Sequence, residues 1–386
     1  MKQLIFSLTI LLSGLAVSAQ KPEPIYSFAT ILRSMDYYKE QSALWKKEID
    51  KDNNNSFAWF NYYRANRNYI RTDATHHIPW KEQTRIETNI VDEMGKAVPN
   101  SFEYNLCRWM ISGNNYKDLN YLKKAAELGK NRPEILTEMT NWGEIDRNID
   151  RRDEYAKKMF ESDLASPGFL NYNYNVIIGL KPNAIIFSCG DNDTYPIWQL
   201  QSQGIRKDVT LLNLSLLSID DYRDKIFKEL RIPKWDTSGM TKEDMQKPNA
   251  NFSSLIKHIA LHSGNHPVYV ALTVDPAYSK AMEENLYLTG MAYEYNNGTP
   301  DNMALLQKNF EQLYALDYLD KPFYKDISAV LAKCLDQNYI VPMLKLYDHY
   351  KESGDKQKQE WIKTKIIIIA KGTEGEQEIK MHLDKN

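Results

Sequence analysis

Two kinds of hydrophobic pattern divide the chain. Residues 27–167 space their apolar positions as amphipathic helices do, with short polar turns between the helical segments. From Phe169 onward, short continuous apolar runs alternate with helical segments, and the runs at 185–188, 209–214 and 268–274 are typical of buried strands. The pattern then returns to helices, which we expect at 302–316, 322–336, 339–353 and 356–371. The chain therefore predicts helices, then a strand-containing region, then helices again.

Three prolines occur at a constant spacing in the first helical region. Pro99, Pro133 and Pro167 are 34 residues apart, which is the period of the tetratricopeptide helix-turn-helix repeat. The two intervals predict four helices, at 101–112, 118–130, 135–147 and 150–163. A less regular pair flanks the turn at residues 52–56, and one more helix is expected at 80–96. We interpret 27–167 as a tetratricopeptide-like array whose concave face binds a protein partner.

Strands alternating with helices predict parallel pairing through crossover connections. We expect a small parallel, Rossmann-like sheet of three or four strands, with the runs at 185–188, 209–214 and 268–274 as neighbours. The fold class is thus α+α/β. The expected division is a signal peptide at 1–19, a helical-repeat domain at 20–167, an α/β domain at 168–300, and a helical repeat-like region at 301–386.

The N-terminal residues have the pattern of a secretory leader. Lys2 precedes an apolar run at 4–15, and Val17-Ser18-Ala19 forms a small-residue cleavage site. The run is too short for an ordinary membrane span. We expect cleavage near Ala19, a mature chain without a membrane span, and a periplasmic or secreted location in a Gram-negative bacterium.

Charge and cysteine content narrow the function classes. The chain has 49 basic and 51 acidic residues and a net charge of −2, so it lacks the basic excess that nucleic-acid binding requires. Cys107, Cys189 and Cys334 are scattered and flanked by apolar residues, which predicts buried thiols rather than a disulfide framework. We therefore expect no nucleic-acid partner and no fold that depends on disulfides.

The candidate site is an acidic turn at the end of the first expected strand. In open α/β sheets, ligands bind at the carboxyl ends of the strands. As a ligand site the turn would use Gly190, Asp191, Asn192, Asp193, Thr194, Tyr195 and Trp198.

The turn has a structural and a chemical interpretation. In the structural one, Asp193 and Thr194 cap the following helix and Gly190 supplies an unusual backbone angle. In the chemical one, Asp191 and Asp193 hold a divalent cation, although Tyr195 departs from the phosphatase pattern that the two aspartates otherwise fit. The metal-binding capacity of the turn stays open at this point.

Other reactive residues carry weaker signals. His258, His262 and His266 are four residues apart, but Ile259 stands where a zinc hydrolase of the HExxH type has a glutamate, so we interpret them as a solvated helix face. Cys189 has no histidine or aspartate assigned to activate it. The sequence therefore predicts no catalytic residue and no cofactor.

Three blocks of sequence resemble the soluble C-terminal part of large bacterial multi-pass membrane proteins, which are grouped with the protein O-mannosyltransferase-like glycosyltransferases. The blocks are Phe187-x-x-Gly190 to Trp198, 204–217, and 267–291. The resemblance implies a shared α/β module over roughly 170–300. The family's glycosyl transfer is expected in its membrane-embedded part, so no catalytic residue carries over.

These features lead to one expected function and two alternatives. We expect an exported, non-catalytic interaction or scaffold protein, an accessory in cell-envelope assembly or in the handling of surface glycans and glycoproteins. One alternative is a metal-assisted hydrolase or transferase that uses Asp191 and Asp193. The other is a carbohydrate-binding module in which tyrosines and Trp198 stack on sugar rings.

Overall fold

The computed structural model describes residues 21–72, 78–113, 115–130 and 132–384. The leader predicted at 1–19 lies outside them. The described chain forms two compact units: residues 34–99 with the segment 21–25, and residues 100–384 with the segment 26–33. Among the described residues, no helix combines the length and the hydropathy needed to cross a bilayer.

The first unit is helical. Its described helices are α1 (Met35–Lys51), α2 (Ser56–Thr72) and α3 (Trp80–Ala97). Trp45 and Ile49 of α1 are buried, as are Phe60 and Tyr63 of α2, so helices α1 and α2 pack through apolar faces on either side of the turn predicted at 52–56. Tyr62 and Trp59 of the same helix stack edge to face.

Helices continue through the start of the second unit. They are α4 (Phe102–Ile111), α5 (Leu119–Leu128), α6 (Leu136–Ile145), α7 (Ile149–Phe160) and α8 (Pro167–Ile178). Helices α4 and α5 pack on each other, and so do α6 and α7. Pro99 lies in the turn before α4, Pro133 begins a 3₁₀ turn before α6, and Pro167 begins α8. At such positions a proline loses no helical hydrogen bond.

The sheet follows in the same unit and is mixed, which corrects the all-parallel prediction. Its strands are β1 (Ile185–Ser188), β2 (Thr210–Asn213), β3 (Val268–Ala271), β4 (Leu286–Leu288) and β5 (Ala292–Tyr295), in the order β2-β1-β3-β5-β4. Strands β2, β1 and β3 are parallel neighbours, as the apolar runs predict. Strands β4 and β5 form a hairpin that adds to β3 in the antiparallel direction.

The hairpin was missed because its strands are short and only partly buried. Its turn contains Gly290, where an added Cβ atom would lie 2.0 Å from the hydroxyl oxygen of Tyr314. That hydroxyl accepts a hydrogen bond from the backbone N–H of Met291 at 3.0 Å. The turn is therefore fixed by a contact with a distant tyrosine, which no local pattern reveals.

Five helices lie in the connections between the parallel strands. They are α9 (Tyr195–Ser202), α10 (Leu214–Leu217), α11 (Asp220–Leu230), α12 (Lys242–Gln246) and α13 (Pro248–His262). All four residues of β1 and all four of β3 are buried, and all of them except Ser188 belong to one apolar cluster. Together with α8 and α9, these strands place the acidic turn at the carboxyl edge of the sheet.

The C-terminal helices are α14 (Asn302–Lys308), α15 (Ala329–Asp336), α16 (Ile340–Ser353), α17 (Lys356–Ala370) and α18 (Glu376–Leu383). The helix predicted at 322–336 begins only at Ala329. Asp326 explains the difference, because its carboxylate accepts hydrogen bonds from Ser166 Oγ and from the backbone N–H of Gly168, each at 2.8 Å. The segment before α15 is thereby tied to the start of α8. The helix predicted at 302–316 is an α-helix only as far as Lys308, and the chain continues as a π-helical turn at Asn309–Leu313.

Candidate functional site

The carboxyl ends of three parallel strands meet at the acidic turn. Strand β1 ends at Ser188, and its buried hydroxyl lies 2.7 Å from the hydroxyl of Thr194. Asn213, the last residue of β2, donates from Nδ2 to the same Thr194 oxygen at 3.0 Å. The Thr194 side chain therefore joins the ends of β1 and β2 instead of pointing toward solvent.

Asp193 joins the turn to β1 and to the segment after β3. Its Oδ1 accepts from the backbone N–H of Gly190 at 2.7 Å, and its Oδ2 accepts from the backbone N–H of Cys189 at 3.1 Å. Thr273, two residues beyond β3, donates its hydroxyl to the same Oδ2. The side chain is 4% exposed, and this burial raises the pKa of the Asp193 carboxyl, while the hydrogen bonds act in the opposite direction. Both carboxylate oxygens are thus engaged inside the protein.

These contacts correct the helix-cap interpretation. Thr194 is the N-cap residue of α9, but its side chain makes no capping hydrogen bond. The amides of Thr194 and Tyr195 instead donate to the backbone carbonyl of Asp191, at 3.3 and 3.0 Å. Gly190 does not adopt a positive φ either. The turn is structural through strand-to-strand hydrogen bonds, not through capping of α9.

The remaining predicted site residues differ in how far they are exposed to solvent. Asp191 is exposed, and Asn192 is half-buried, with its carbonyl accepting from Asn173 Nδ2 of α8 at 2.8 Å. Tyr195 is half-buried, and desolvation, then the charge of Asp191, holds the pKa of its hydroxyl well above its usual range. Trp198 is 0% exposed in the apolar core, so its ring offers no face on which a sugar could stack.

The cysteines and histidines within the described ranges do not form a reactive cluster. Cys189 is half-buried, and desolvation, followed by the charges of Asp193 and Asp275, raises the pKa of its thiol to about 11. It is therefore protonated at neutral pH and a weak nucleophile. Cys107 is buried as expected, whereas Cys334 is exposed, contrary to the prediction of three buried thiols. The ring of His258 is half-buried and bonds to the carbonyl of Pro233 at 2.8 Å, whereas His262 on the same helix is exposed.

Four residues that complete the network were missing from the predicted site. They are Asn173, Ser188, Asn213 and Thr273. The last three lie at or one residue before the carboxyl ends of the predicted strands, so a search for polar residues at these ends would have found them.

Metal binding is expected to be absent at the turn. Within the described ranges, no three or more His, Cys, Asp or Glu residues come together as a metal site, and a cation would have to displace the amides that hold Asp193. We expect calcium, magnesium and manganese to leave the melting temperature unchanged, measured by differential scanning calorimetry. A saturable rise that is lost in both Asp191→Asn and Asp193→Asn would contradict this, since a ligand bound only to the folded state stabilises it.

Comparison with known proteins gives one match. No curated protein and no solved structure matches the chain. The third block of the resemblance, 267–291, lies outside the matched residues. Residues 170–250, which carry β1, the acidic turn and β2, are similar to TMEM260-associated domain 2, a family linked to the protein O-mannosyltransferase-like protein TMEM260.

Proposed function

We propose that this protein is an exported, non-catalytic interaction protein that serves as an accessory in cell-envelope assembly or in the handling of surface glycans and glycoproteins. The observation that carries the proposal is the hydrogen bonding of Asp193 and Thr194. Their side chains are used to join strands β1 and β2 and the segment after β3. In this proposal the turn makes a binding module rigid, and it supplies no reacting group.

The helical part is the proposed partner-binding region. The prolines at a period of 34 residues and the packing of α4 on α5 and of α6 on α7 support a tetratricopeptide-like array. Large apolar side chains are exposed in each of the two units: Trp80 of α3, which is 65% exposed, in the first and Leu128 of α5 in the second. Exposed aromatic and aliphatic side chains of this kind are common anchors in protein interfaces.

The glycan part of the proposal rests on the similarity of residues 170–250 to TMEM260-associated domain 2. The protein linked to that family is O-mannosyltransferase-like. By analogy, a module that accompanies glycosyl transfer in one protein can bind glycoproteins in another without performing the reaction.

The alternatives fit the described residues less well. A metal-assisted hydrolase or transferase needs Asp193 to release three donors before it can bind a cation. A carbohydrate-binding module cannot use Trp198, which is buried. Among the described tyrosines only Tyr26 is exposed, at 41%, and it stays as a candidate sugar contact of such a module.

Affinity capture tests the proposal. We expect immobilised protein to enrich a defined set of envelope glycoproteins from an extract of its own cells, with proteins and attached glycans identified together. Trp80→Ala and Leu128→Ala, each made separately, should reduce that enrichment several-fold, because each removes an exposed apolar anchor. The matched control is Leu261→Ala, since Leu261 is also an exposed aliphatic residue but lies on α13, outside the helical array.

Two outcomes would contradict the proposal. One is enrichment no greater than with an unrelated bait protein. The other is release or transfer of sugars from envelope glycans by the purified protein, with loss of that activity in Asp191→Asn and Asp193→Asn. The second outcome would assign the turn to the metal-assisted enzyme.

A further inference from the structure

A cavity of about 290 Å³ lies far along the chain from the acidic turn, in the C-terminal helices. Its wall is formed by the segment before α15, by α15 itself, by α17 and by the start of α8. Most of the lining is apolar, with Leu319, Ala332 and Ile369 among the buried contributors. Its size is near the lower end of small-molecule sites, which begin at about 300 Å³.

Three charged side chains line this cavity, and two of them are already engaged. Asp326 accepts from Ser166, Gly168 and the backbone N–H of Ser328, each at 2.8 Å. The ammonium of Lys333 donates to the backbone carbonyl of Lys371 at 3.1 Å. The third charged side chain is that of Asp336, the last residue of α15.

Among the described residues, Asp336 has one hydrogen-bond partner and forms no ion pair. Its Oδ1 accepts from the hydroxyl of Tyr318 at 2.7 Å, and that hydroxyl lies 3.3 Å from the hydroxyl of Tyr339. Tyr339 in turn accepts from Asn175 Nδ2 at 2.8 Å. In the part of the chain that the structure describes, Oδ2 of Asp336 has no hydrogen bond and the carboxylate has no ion pair. Partial burial disfavours the charged form of this carboxyl, and a cation bound at Oδ2 would stabilise it.

The surroundings of the cavity are apolar as well. Phe323, which is 93% exposed, stands between the lining residues Pro322 and Tyr324 in the chain. Val330 is exposed and follows the lining residue Ala329. The rings of Tyr318 and Tyr324 also form part of the wall, and aromatic faces attract organic cations.

We propose that this cavity binds an organic ammonium ion, with the ammonium group at Asp336 Oδ2 and an apolar body against Leu319, Ala332 and Ile369. The charge of the ligand pairs with a carboxylate that has no ion-pair partner, and the body of the ligand displaces water from apolar walls. The ammonium can belong to a free amine or to a lysine side chain of a bound protein. The proposal is independent of the function proposed above.

The variant that removes the carboxylate is expected to fold. Burial raises the pKa of Asp336 to about 6, with the charge of Asp326 acting in the same direction. A raised pKa in the folded state means that the stability from this group is present at low pH and is lost as the pH rises through 6. Asp336→Asn removes a buried charge at pH 7.5 and keeps an acceptor for Tyr318, so it should be at least as stable as the wild type there.

Isothermal titration calorimetry at pH 7.5 with the full chain tests the proposal. The probes are benzylammonium, for free amines, and Nα-acetyl-lysine amide, for a protein-borne lysine, with benzyl alcohol as the neutral analogue of the first. We expect at least one cation to bind saturably and benzyl alcohol to bind more weakly. Asp336→Asn should weaken cation binding about tenfold or more, because a hydrogen bond to a charged group is lost.

Two further variants show whether binding depends on the cavity itself or only on negative charge nearby. Ala329→Leu should weaken binding by filling part of the cavity while leaving Asp336 in place. Asp317→Asn should have no effect, because Asp317 is exposed and does not line the cavity. Binding of benzylammonium alone assigns the cavity to free amines, and binding of the lysine derivative assigns it to a protein side chain. The proposal is overturned if neither cation binds, if Asp336→Asn binds as the wild type does, or if benzyl alcohol binds as tightly as benzylammonium.

Discussion

Glu144→Ala is expected to lower the free energy of unfolding by about 3–5 kcal/mol, the range observed when one partner is removed from a buried ion pair. Glu144 lies on α6 and is 0% exposed. Its Oε1 accepts from Arg147 and from the hydroxyl of Tyr222 at 2.7 Å, and its Oε2 accepts from Arg152 at 3.0 Å. One carboxylate thus connects α6, α7 and α11, and its loss leaves the two guanidinium groups without their buried partner.

Urea denaturation followed by circular dichroism would measure this effect. Glu144→Gln keeps the shape and one acceptor but removes the charge, so its loss of stability should be smaller than that of the alanine variant. The matched control is Glu154→Ala on α7, because Glu154 forms an exposed ion pair with Lys158 that should contribute less than about 1 kcal/mol. A loss below about 1 kcal/mol for Glu144→Ala would contradict a structural role for this network.

Asp193→Ala is expected to lower the free energy of unfolding by about 2–4 kcal/mol, because buried donors left without an acceptor cost about 1–3 kcal/mol each and water reaches some of them. The amides of Cys189 and Gly190 and the hydroxyl of Thr273 would all lose their acceptor. A helix-cap residue would be worth less, about 0.5–2 kcal/mol. The same denaturation experiment therefore separates the network from a simple cap.

Two companion variants refine the Asp193 result. Thr273→Val removes one donor and should cost about 1 kcal/mol, the usual net value of a single hydrogen bond. Asp191→Asn changes an exposed residue of the same turn and should stay within about 0.5 kcal/mol of the wild type. Equal effects of Asp191→Asn and Asp193→Ala would show that the turn responds to its overall charge and not to the hydrogen bonds of Asp193.

Elements with a strong local pattern could be predicted from the sequence. The parallel order of β2, β1 and β3 follows from three apolar runs separated by helices, and α16 ends at Gly354 with a left-handed φ of 76°, as a glycine stop predicts. The late start of α15 could not be predicted, because Asp326 bonds to Ser166 and Gly168, which are about 160 residues away in sequence.

The acidic turn lies at the carboxyl end of β1, as the apolar run before it predicts, but the hydrogen bonds of its side chains were not predicted. A pattern of acidic residues after a strand does not show which way a carboxylate points, and Asp193 turns back toward Cys189 and Gly190 instead of forward to α9. The acceptor for the amides at the start of α9 is a backbone carbonyl, that of Asp191, which has no sequence signature. The direction of a side chain in a turn depends on the neighbouring strands. Here Thr273 donates a hydrogen bond to Asp193, and Asn213 donates one to Thr194.

Asp193 acts as a hydrogen-bond acceptor inside the protein, and the acidic turn joins β1, β2 and the segment after β3. Amide hydrogen exchange at Cys189 and Gly190, measured by NMR in wild type and in Asp193→Asn, tests this role of Asp193 most directly. We expect slow exchange of both amides in the wild type without any added metal, and faster exchange in the variant, because a hydrogen-bonded amide must open before it exchanges. Fast exchange in the wild type that becomes slow only when a divalent cation is added would contradict the account and identify the turn as a metal site.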